Sequence, residues 1–478
     1  MKWSHVLTFA PLVAFMLSSC GGSSSVTDRG GTSLPVVRRE TGGTSTFIKH
    51  VVIVIQENRS FDDFFATFPG ADGTTGGCMK LPPESGSGSG GGGCPVGDDY
   101  VPLEPVNLAE PCDFSHSRLP YLHDYDGGLM DGFGLEGNGP AKCGPGIAGK
   151  EVYQFVIPTQ IAPYWTLAQQ YVLGDHMFQT QGSGSFTAHQ DLIAGTTTYN
   201  PAKTMSLVDF PSHQPWGCDA PKGTKTTILV DLGSMLKDEW HKGPFPCMSY
   251  PTIRDLLDAH GITWRYYSPP EPVGDGKLWN AFNAIKAVRN GPEWNVNIAH
   301  NKVFFNDVAA GRLPNVSWVI PDTRNSDHPG GKTDTGPSWV GNIVNTIGTS
   351  PYWSTTAIVV VWDDWGGFYD HVPPPFFDRW GGLGFRVPML LISPYAREAR
   401  AGKPGYISHT TYEFGSILKF VEQNWNLGTL GATDSRAASL IDCFDFTQSP
   451  RPFTQVLVKY SRSYFLHQPY SYKPIDTE

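Results

Sequence analysis

The stretch VVIVIQENRSFDDFF, residues 51–65, decides the fold. Val51-Val52-Ile53-Val54-Ile55 is a β-branched run with no polar alternation, the pattern of a strand covered on both faces in a parallel sheet. It runs directly into Gln56-Glu57-Asn58-Arg59, so a buried strand ends on a carboxylate, an amide and a guanidinium. Residues 357–364, Ala-Ile-Val-Val-Val-Trp-Asp-Asp, repeat the pattern and end on Asp363 and Asp364, ahead of Trp365-Gly366-Gly367. Ligands of open α/β sheets sit beyond the carboxyl ends of the strands. If these two strands are neighbours, Glu57, Asn58, Asp363 and Asp364 meet there. Carboxylates so crowded raise one another's pKa unless something positive compensates. A divalent cation meets that need, and oxygen ligands suit Ca, Mg or Mn. The plainer alternative is that these are solvated loop residues, with Asp363 capping a turn.

Outward from this pair, a first strand is expected over about 48–55. Further strands are predicted at 263–267, 316–320, 356–362 and 387–393, and helices at 158–173, 251–260 and 411–426. In the last helix Thr410 and Glu413 have capping-box spacing, and Ile417, Leu418, Phe420 and Val421 give an apolar face. Strands alternating with helices predict an α/β fold, a largely parallel central sheet flanked by helices with long irregular loops, in one domain over 47–478. Residues 70–97 contain SGSGSGGGG and read as a mobile surface loop. Residues 198–250, rich in Pro, Gly and Lys, read as an irregular insertion.

The chain has 478 residues, 40% apolar and 17% charged, enough to bury a substantial core. Its formal net charge is −10 and it has no basic cluster, which argues against nucleic acid as the main partner, because phosphate backbones need a Lys/Arg footprint. After Lys2 comes an apolar stretch, Val6 to Leu17, too short to span a bilayer but suited to the core of a signal peptide. Leu17-Ser18-Ser19-Cys20 resembles a lipobox. Residues 1–19 then form a lipoprotein signal peptide, Cys20 carries the lipid, and the Gly/Ser/Thr-rich residues 20–46 form a flexible tether. An ordinary secretory signal is the alternative. The expected location is the cell envelope, periplasm or outer membrane, with attachment through an N-terminal lipid anchor. In an oxidising compartment the other cysteines suggest disulfides. Neighbour pairing gives Cys78–Cys94, Cys112–Cys143 and Cys218–Cys247 and leaves Cys443 free.

Two further pieces bear on chemistry. Gly182-Ser183-Gly184-Ser185-Phe186-Thr187 reads as a small-residue turn from a strand into a helix, where backbone can approach a ligand and an anion is favoured. A hydroxyl there becomes a nucleophile if a metal lowers its pKa; a plain Gly/Ser turn is the commoner reading. Histidines lie in DFSHS (His116), AHN (His300), SDHP (His328) and YDHV (His371). A lone loop histidine is ordinarily a surface residue or a satisfied hydrogen-bonder.

Taken in order, VVIVIQENRSFDDFF, the DFSHS to GGLMDGF stretch (113–133), GSGSFTAHQ, SDHP, VVVWDDWGGFYDHVPPP and SHTTYEFGSILKFVE (408–422) resemble one family. It is the bacterial phosphoesterase family of non-specific phospholipases C and respiratory-burst-inhibiting acid phosphatases, within the alkaline-phosphatase-like superfamily. The resemblance implies that Glu57 and Asn58 are one metal-ligand pair and Asp363 and Asp364 the second. It makes Ser185 the nucleophile, also touching the metal, with Ser183 and Thr187 as lesser candidates. His116, His300 and His328 would line the phosphate pocket. His371 and His409 sit in matching words, with a structural role as the alternative, and Arg59 and Asp62 are read as scaffold for the turn. The cofactor is one or more divalent ions, Ca, Mg, Mn or Zn. The substrate is a small phosphoester or a phospholipid, and the scarcity of exposed-looking apolar loop residues favours soluble phosphoesters. The implied reaction hydrolyses phosphate monoesters or diesters through a phosphoserine, with mildly acidic pH favoured by the histidines. The alternative from another class is a non-catalytic surface lipoprotein that binds a ligand or partner on the same fold. No CxPxR or SxPxR word supports a sulfatase.

Overall fold

In this computed structural model the described residues are 43–82, 88, 90–136, 149–231, 236–271, 274–375, 382–400, 402 and 405–472. All of them belong to the unit Gly42–Glu478; the expected signal peptide, Cys20 and most of the tether lie outside them. Eight strands form the main sheet: β1 His50–Gln56, β2 Val172–Gly174, β3 Trp264–Ser268, β4 Ile298–His300, β5 Val316–Val319, β6 Thr356–Trp362, β7 Met389–Ile392 and β8 Tyr406–Ser408. Their order is β4-β3-β5-β1-β6-β7-β2-β8. All neighbours are parallel except at β7, which runs antiparallel to both β6 and β2.

The two apolar runs occupy adjacent central positions. Every residue of β6 is buried, and so is all of β1 beyond His50, so both faces of the sheet are covered. Each fully buried Val or Ile there contributes about 1.5–3 kcal/mol. The cover comes from two helix groups. Helix α1, Phe61–Phe65, and α2, Arg118–Tyr125, follow the first strand; α3, Ala162–Gln170, packs on α5, Gly336–Gly348, while α4, Ser185–Ala194, packs on α6, Phe414–Trp425.

Local expectations need several corrections. Helix α5 carries Trp339, Val340, Ile343, Val344 and Ile347 into the core, although no helix is read there from sequence. Helix α6 begins later than expected: Glu413 is its N-cap and pairs with Ser416 in the capping box, because Tyr412–Glu413 is committed to a short parallel pairing with Met177–Phe178. Thr410 instead donates to Asp442. The 198–250 segment is not irregular throughout, since 205–208, 227–231 and 236–239 pair as a three-stranded antiparallel sheet. Within 70–97, Gly76–Lys80 pairs with Asp98–Pro102, so part of that loop is a β-ribbon. The tether ends earlier than 46: Thr44–Thr46 form a turn of helix, and Thr44 donates to Asn424 on α6. Disulfides join Cys78 to Cys94 and Cys218 to Cys247, and Cys443 is free and buried. Cys143 lies outside the described residues. No helix among the described residues is long and apolar enough to cross a membrane.

Candidate active site

Register brings the two polar strand ends together. Gln56 of β1 stands opposite Trp362 of β6, so Glu57-Asn58 and Asp363-Asp364 leave the sheet side by side. Asn58 then adopts φ +58°, a left-handed conformation that asparagine tolerates better than most residues. The turn after β6 closes on it at Gly366, φ +63°, where an added Cβ would stand 2.3 Å from the Asn58 carbonyl oxygen.

Glu57, Asn58, Asp363 and Asp364 are all fully buried. Asp363 Oδ1 accepts the main-chain N–H groups of Asn58 (3.0 Å) and Asp364 (2.8 Å). Asp364 Oδ1 accepts the Asn58 amide (3.0 Å) and the Gly366 N–H (2.9 Å). Asp363 Oδ2 and Asn58 Oδ1, both buried, have no hydrogen-bond partner. Among the described residues no Lys or Arg pairs with Glu57, Asp363 or Asp364. Burial, and then the neighbouring carboxylates, push Glu57 and Asp364 well above the usual carboxylate range. Orphaned oxygen donors in an uncompensated acidic cluster are the chemistry of a cation site, and Glu57, His189 and Asp363 offer ligand atoms within 4.8 Å of one another.

Helix α4 brings the hydroxyl. Ser185 is its first residue, and its Oγ donates to Asp364 Oδ2 at 3.1 Å. Ser183 is tied elsewhere: its hydroxyl receives the Asp209 N–H (2.7 Å) and the Thr187 hydroxyl (2.6 Å). Only Ser185 of the three hydroxyls bonds to the acidic cluster. His116 joins from the segment before α2. Its Nδ1 must carry the proton, because its partner at 2.7 Å is the Phe114 carbonyl, and Nε2 then accepts from Asn58 at 2.9 Å and lies 4.0 Å from Asp364 Oδ2. Burial lowers its pKa, but Asp364 and Asp113 outweigh burial and hold it above the ordinary imidazole value.

His328 is buried, stacks on Trp279 (centroids 5.9 Å apart) and donates from Nδ1 to the Pro329 carbonyl. Its loop is anchored to the first strand's turn by Arg59, whose Nε donates to the Asp327 carbonyl (2.8 Å) and whose Nη1 pairs with Asp63 (3.0 Å). His300 is not brought into the cluster. It ends the edge strand β4, three positions from β1, is exposed, and meets Tyr470 edge-on at 6.5 Å. Placing a strand in a sheet is a tertiary matter, which the Ala-His-Asn word does not encode. Sequence reasoning passed over His189, which stands four residues after Ser185 on the same helix face; its Nε2 is 3.1 and 3.3 Å from the Glu57 oxygens and 3.7 Å from Asp363 Oδ2. The i, i+4 spacing inside GSGSFTAHQ was the available signal.

Buried Asp62 and Asp370 form a second group with half-buried His371, but Arg386 fills it. The guanidinium is fully buried and donates to Asp370 (2.8 Å) and Asp62 (3.2 Å), while His371 Nδ1 lies 2.7 Å from Asp62.

The α/β sheet thus carries a buried acidic cluster and a helix-borne serine at the carboxyl ends of its central strands. The profile of the Phosphoesterase family matches residues 48–428, and the chain belongs to that family. It is a phosphoric ester hydrolase. It is 25% identical to phospholipase C B of Mycobacterium tuberculosis strain H37Rv, covering 87% of this chain and 82% of the relative. With non-specific phospholipase C1 of Arabidopsis thaliana it shares 26% identity over 84% of this chain and 72% of the relative. The solved structure of a protein in the alkaline phosphatase superfamily from Vibrio parahaemolyticus aligns over 83% of this chain and 72% of its own at 12% identity. Its TM-score is 0.35, a likeness too loose to argue from.

Proposed function

We propose that the chain is an exported, metal-dependent phosphoesterase that hydrolyses phosphate monoesters or diesters through a phosphoserine at Ser185. The observation that carries this reading is the Ser185 hydroxyl donating at 3.1 Å to Asp364, beside orphaned Asp363 and Asn58 oxygens that no Lys or Arg neutralises. Glu57, Asn58, Asp363, Asp364 and Ser185 would hold the divalent ion, which when bound supplies the positive charge that a phosphoryl-transfer transition state needs. Asp364 positions the serine hydroxyl and accepts its proton as Oγ attacks phosphorus. His116, whose Nε2 accepts from Asn58 when the ring is neutral, enters the reaction as an imidazolium, gives the Nε2 proton to the leaving oxygen and takes one back from the attacking water. Water then hydrolyses the phosphoserine and restores the hydroxyl. His328, with Nδ1 committed to a carbonyl, would offer Nε2 to the phosphate.

The ester is a small phosphoester or a phospholipid, matching the phospholipase C names of the relatives. Of the apolar loop residues, Leu129 and Trp240 are more than half exposed and would be available to a lipid. Anchoring through Cys20 in the periplasm or outer membrane belongs to the same proposal. The test compares wild type with Ser185→Ala on p-nitrophenyl phosphate and p-nitrophenylphosphorylcholine, with and without chelator. The expected outcome is turnover by the metal-loaded wild type only, with the variant lower by roughly three orders of magnitude or more. Equal turnover by the variant rules out Ser185 as nucleophile, and no turnover of either ester by folded, metal-loaded wild type rules out the enzyme.

A further inference from the structure

Resting on that reading of a cation at the acidic centre, we infer that His189 is a nitrogen ligand of this cation, shared with Glu57 and the free oxygen of Asp363. The centre is therefore selective for first-row transition ions over Ca or Mg.

Helix α4 presents two groups to the acidic centre from one face, the Ser185 hydroxyl and, one turn on, the His189 imidazole. All ten residues of this helix are buried, so the ring is held by packing on every side rather than free to swing. Its Nε2 lies 3.1 Å from Glu57 Oε1 and 3.7 Å from Asp363 Oδ2. Donors bonded to one ion at about 2.0–2.2 Å stand about 3.0–3.5 Å from one another, so these separations are close to the edges of a coordination polyhedron.

The remaining partners agree. Asp363 is locked by two main-chain N–H groups on Oδ1, which leaves Oδ2 aimed at Glu57 and His189 with no hydrogen bond of its own. A histidine that only donated to Glu57 would leave that buried oxygen unsatisfied, at a cost of about 1–3 kcal/mol. An ion between the three groups satisfies all of them. Calcium and magnesium prefer all-oxygen shells, whereas an imidazole alongside carboxylates suits Mn, Fe, Co or Zn. The second acidic group, Asp62, Asp370 and His371, offers no such place, because Arg386 already lies within it.

The test uses the full chain, stripped with chelator and reloaded with Mn²⁺, and needs no substrate. Pulsed electron paramagnetic resonance of the wild type should show coupling to one imidazole nitrogen, which shifts to the ¹⁵N pattern when histidine is isotopically labelled. His189→Gln and His189→Asn, each checked for folding by circular dichroism, should lose that coupling. Their Zn²⁺ and Mn²⁺ affinities should fall by roughly tenfold to a hundredfold, with Ca²⁺ and Mg²⁺ changed by less than about twofold. Mn²⁺ bound without nitrogen coupling in the wild type overturns the assignment, as does coupling that survives in a folded variant. Turnover of p-nitrophenyl phosphate measured beside it separates the two proposals. Turnover without nitrogen coupling removes only the histidine ligand; turnover by protein that binds no divalent ion overturns both. Nitrogen coupling without turnover keeps the ligand and overturns the phosphoesterase reading of the site.

Discussion

Two acidic clusters a few residues apart in sequence solve the same electrostatic problem differently. At Asp62, Asp370 and His371 the chain supplies its own cation: Arg386 donates to both carboxylates and to the Asp72 and Asp175 carbonyls, and lies over the Phe61 ring. At Glu57, Asp363 and Asp364 the described residues bring only histidines, His189 and His116, and leave two oxygens without partners. Charge count does not distinguish the clusters; whether a fixed guanidinium enters does. The first cluster is closed and fastens the turn after β1 to the segment after β6, and the second keeps buried oxygens without a partner.

Removing the guanidinium tests this most severely. Arg386→Met should cost about 3–5 kcal/mol of unfolding free energy, since it strands two fully buried carboxylates. Urea unfolding measures it, and a loss below about 1 kcal/mol would show that the cluster does not depend on its arginine. The mirror-image change has the opposite sign. Asp363→Asn keeps the oxygen that accepts the two main-chain N–H groups and turns an amide N–H toward Glu57. The metal-free protein should gain about 0.5–2 kcal/mol while hydrolysis is lost. Wild type should recover that deficit with divalent ion at a hundred times its Kd, a gain of about 2.7 kcal/mol that the variant lacks. Thermal unfolding with and without ion reads both, and a metal-free variant less stable than wild type breaks the comparison.

The smallest effect concerns His371. Burial lowers its pKa, but Asp62 outweighs burial and raises it overall. A histidine with a raised folded-state pKa adds stability that is fully present below the unfolded value, about 6.5, and is lost as pH rises through the folded value. The Tm gap between wild type and His371→Gln should therefore be widest in acid and close on the alkaline side. A gap that widens with pH would contradict the pairing with Asp62.

How much of this could be read in the sequence differs element by element. The helix at Gly336–Gly348 escaped notice because Gly, Pro and Asn interrupt its pattern, and the antiparallel strands in 198–250 because each is only four or five residues long amid Pro, Gly and Lys. His300 looked equivalent to His116 and His328 as a loop histidine, yet it ends an edge strand in solvent. His189 looked like one more residue of a short helix and faces the acidic centre.

The sequence by itself determined the parallel sheet and its polar strand ends. Unbroken β-branched runs can be buried only between two covered faces, and a carboxylate at their end needs a partner there. It also carried the words that mark the Phosphoesterase family. Tertiary structure alone decided that β1 and β6 are neighbours in a register opposing Gln56 to Trp362, that Arg386 enters one acidic cluster and not the other, and that α4 delivers Ser185 and His189 together. Those outcomes depend on which distant segments touch, and local patterns of hydrophobicity carry no record of the partner.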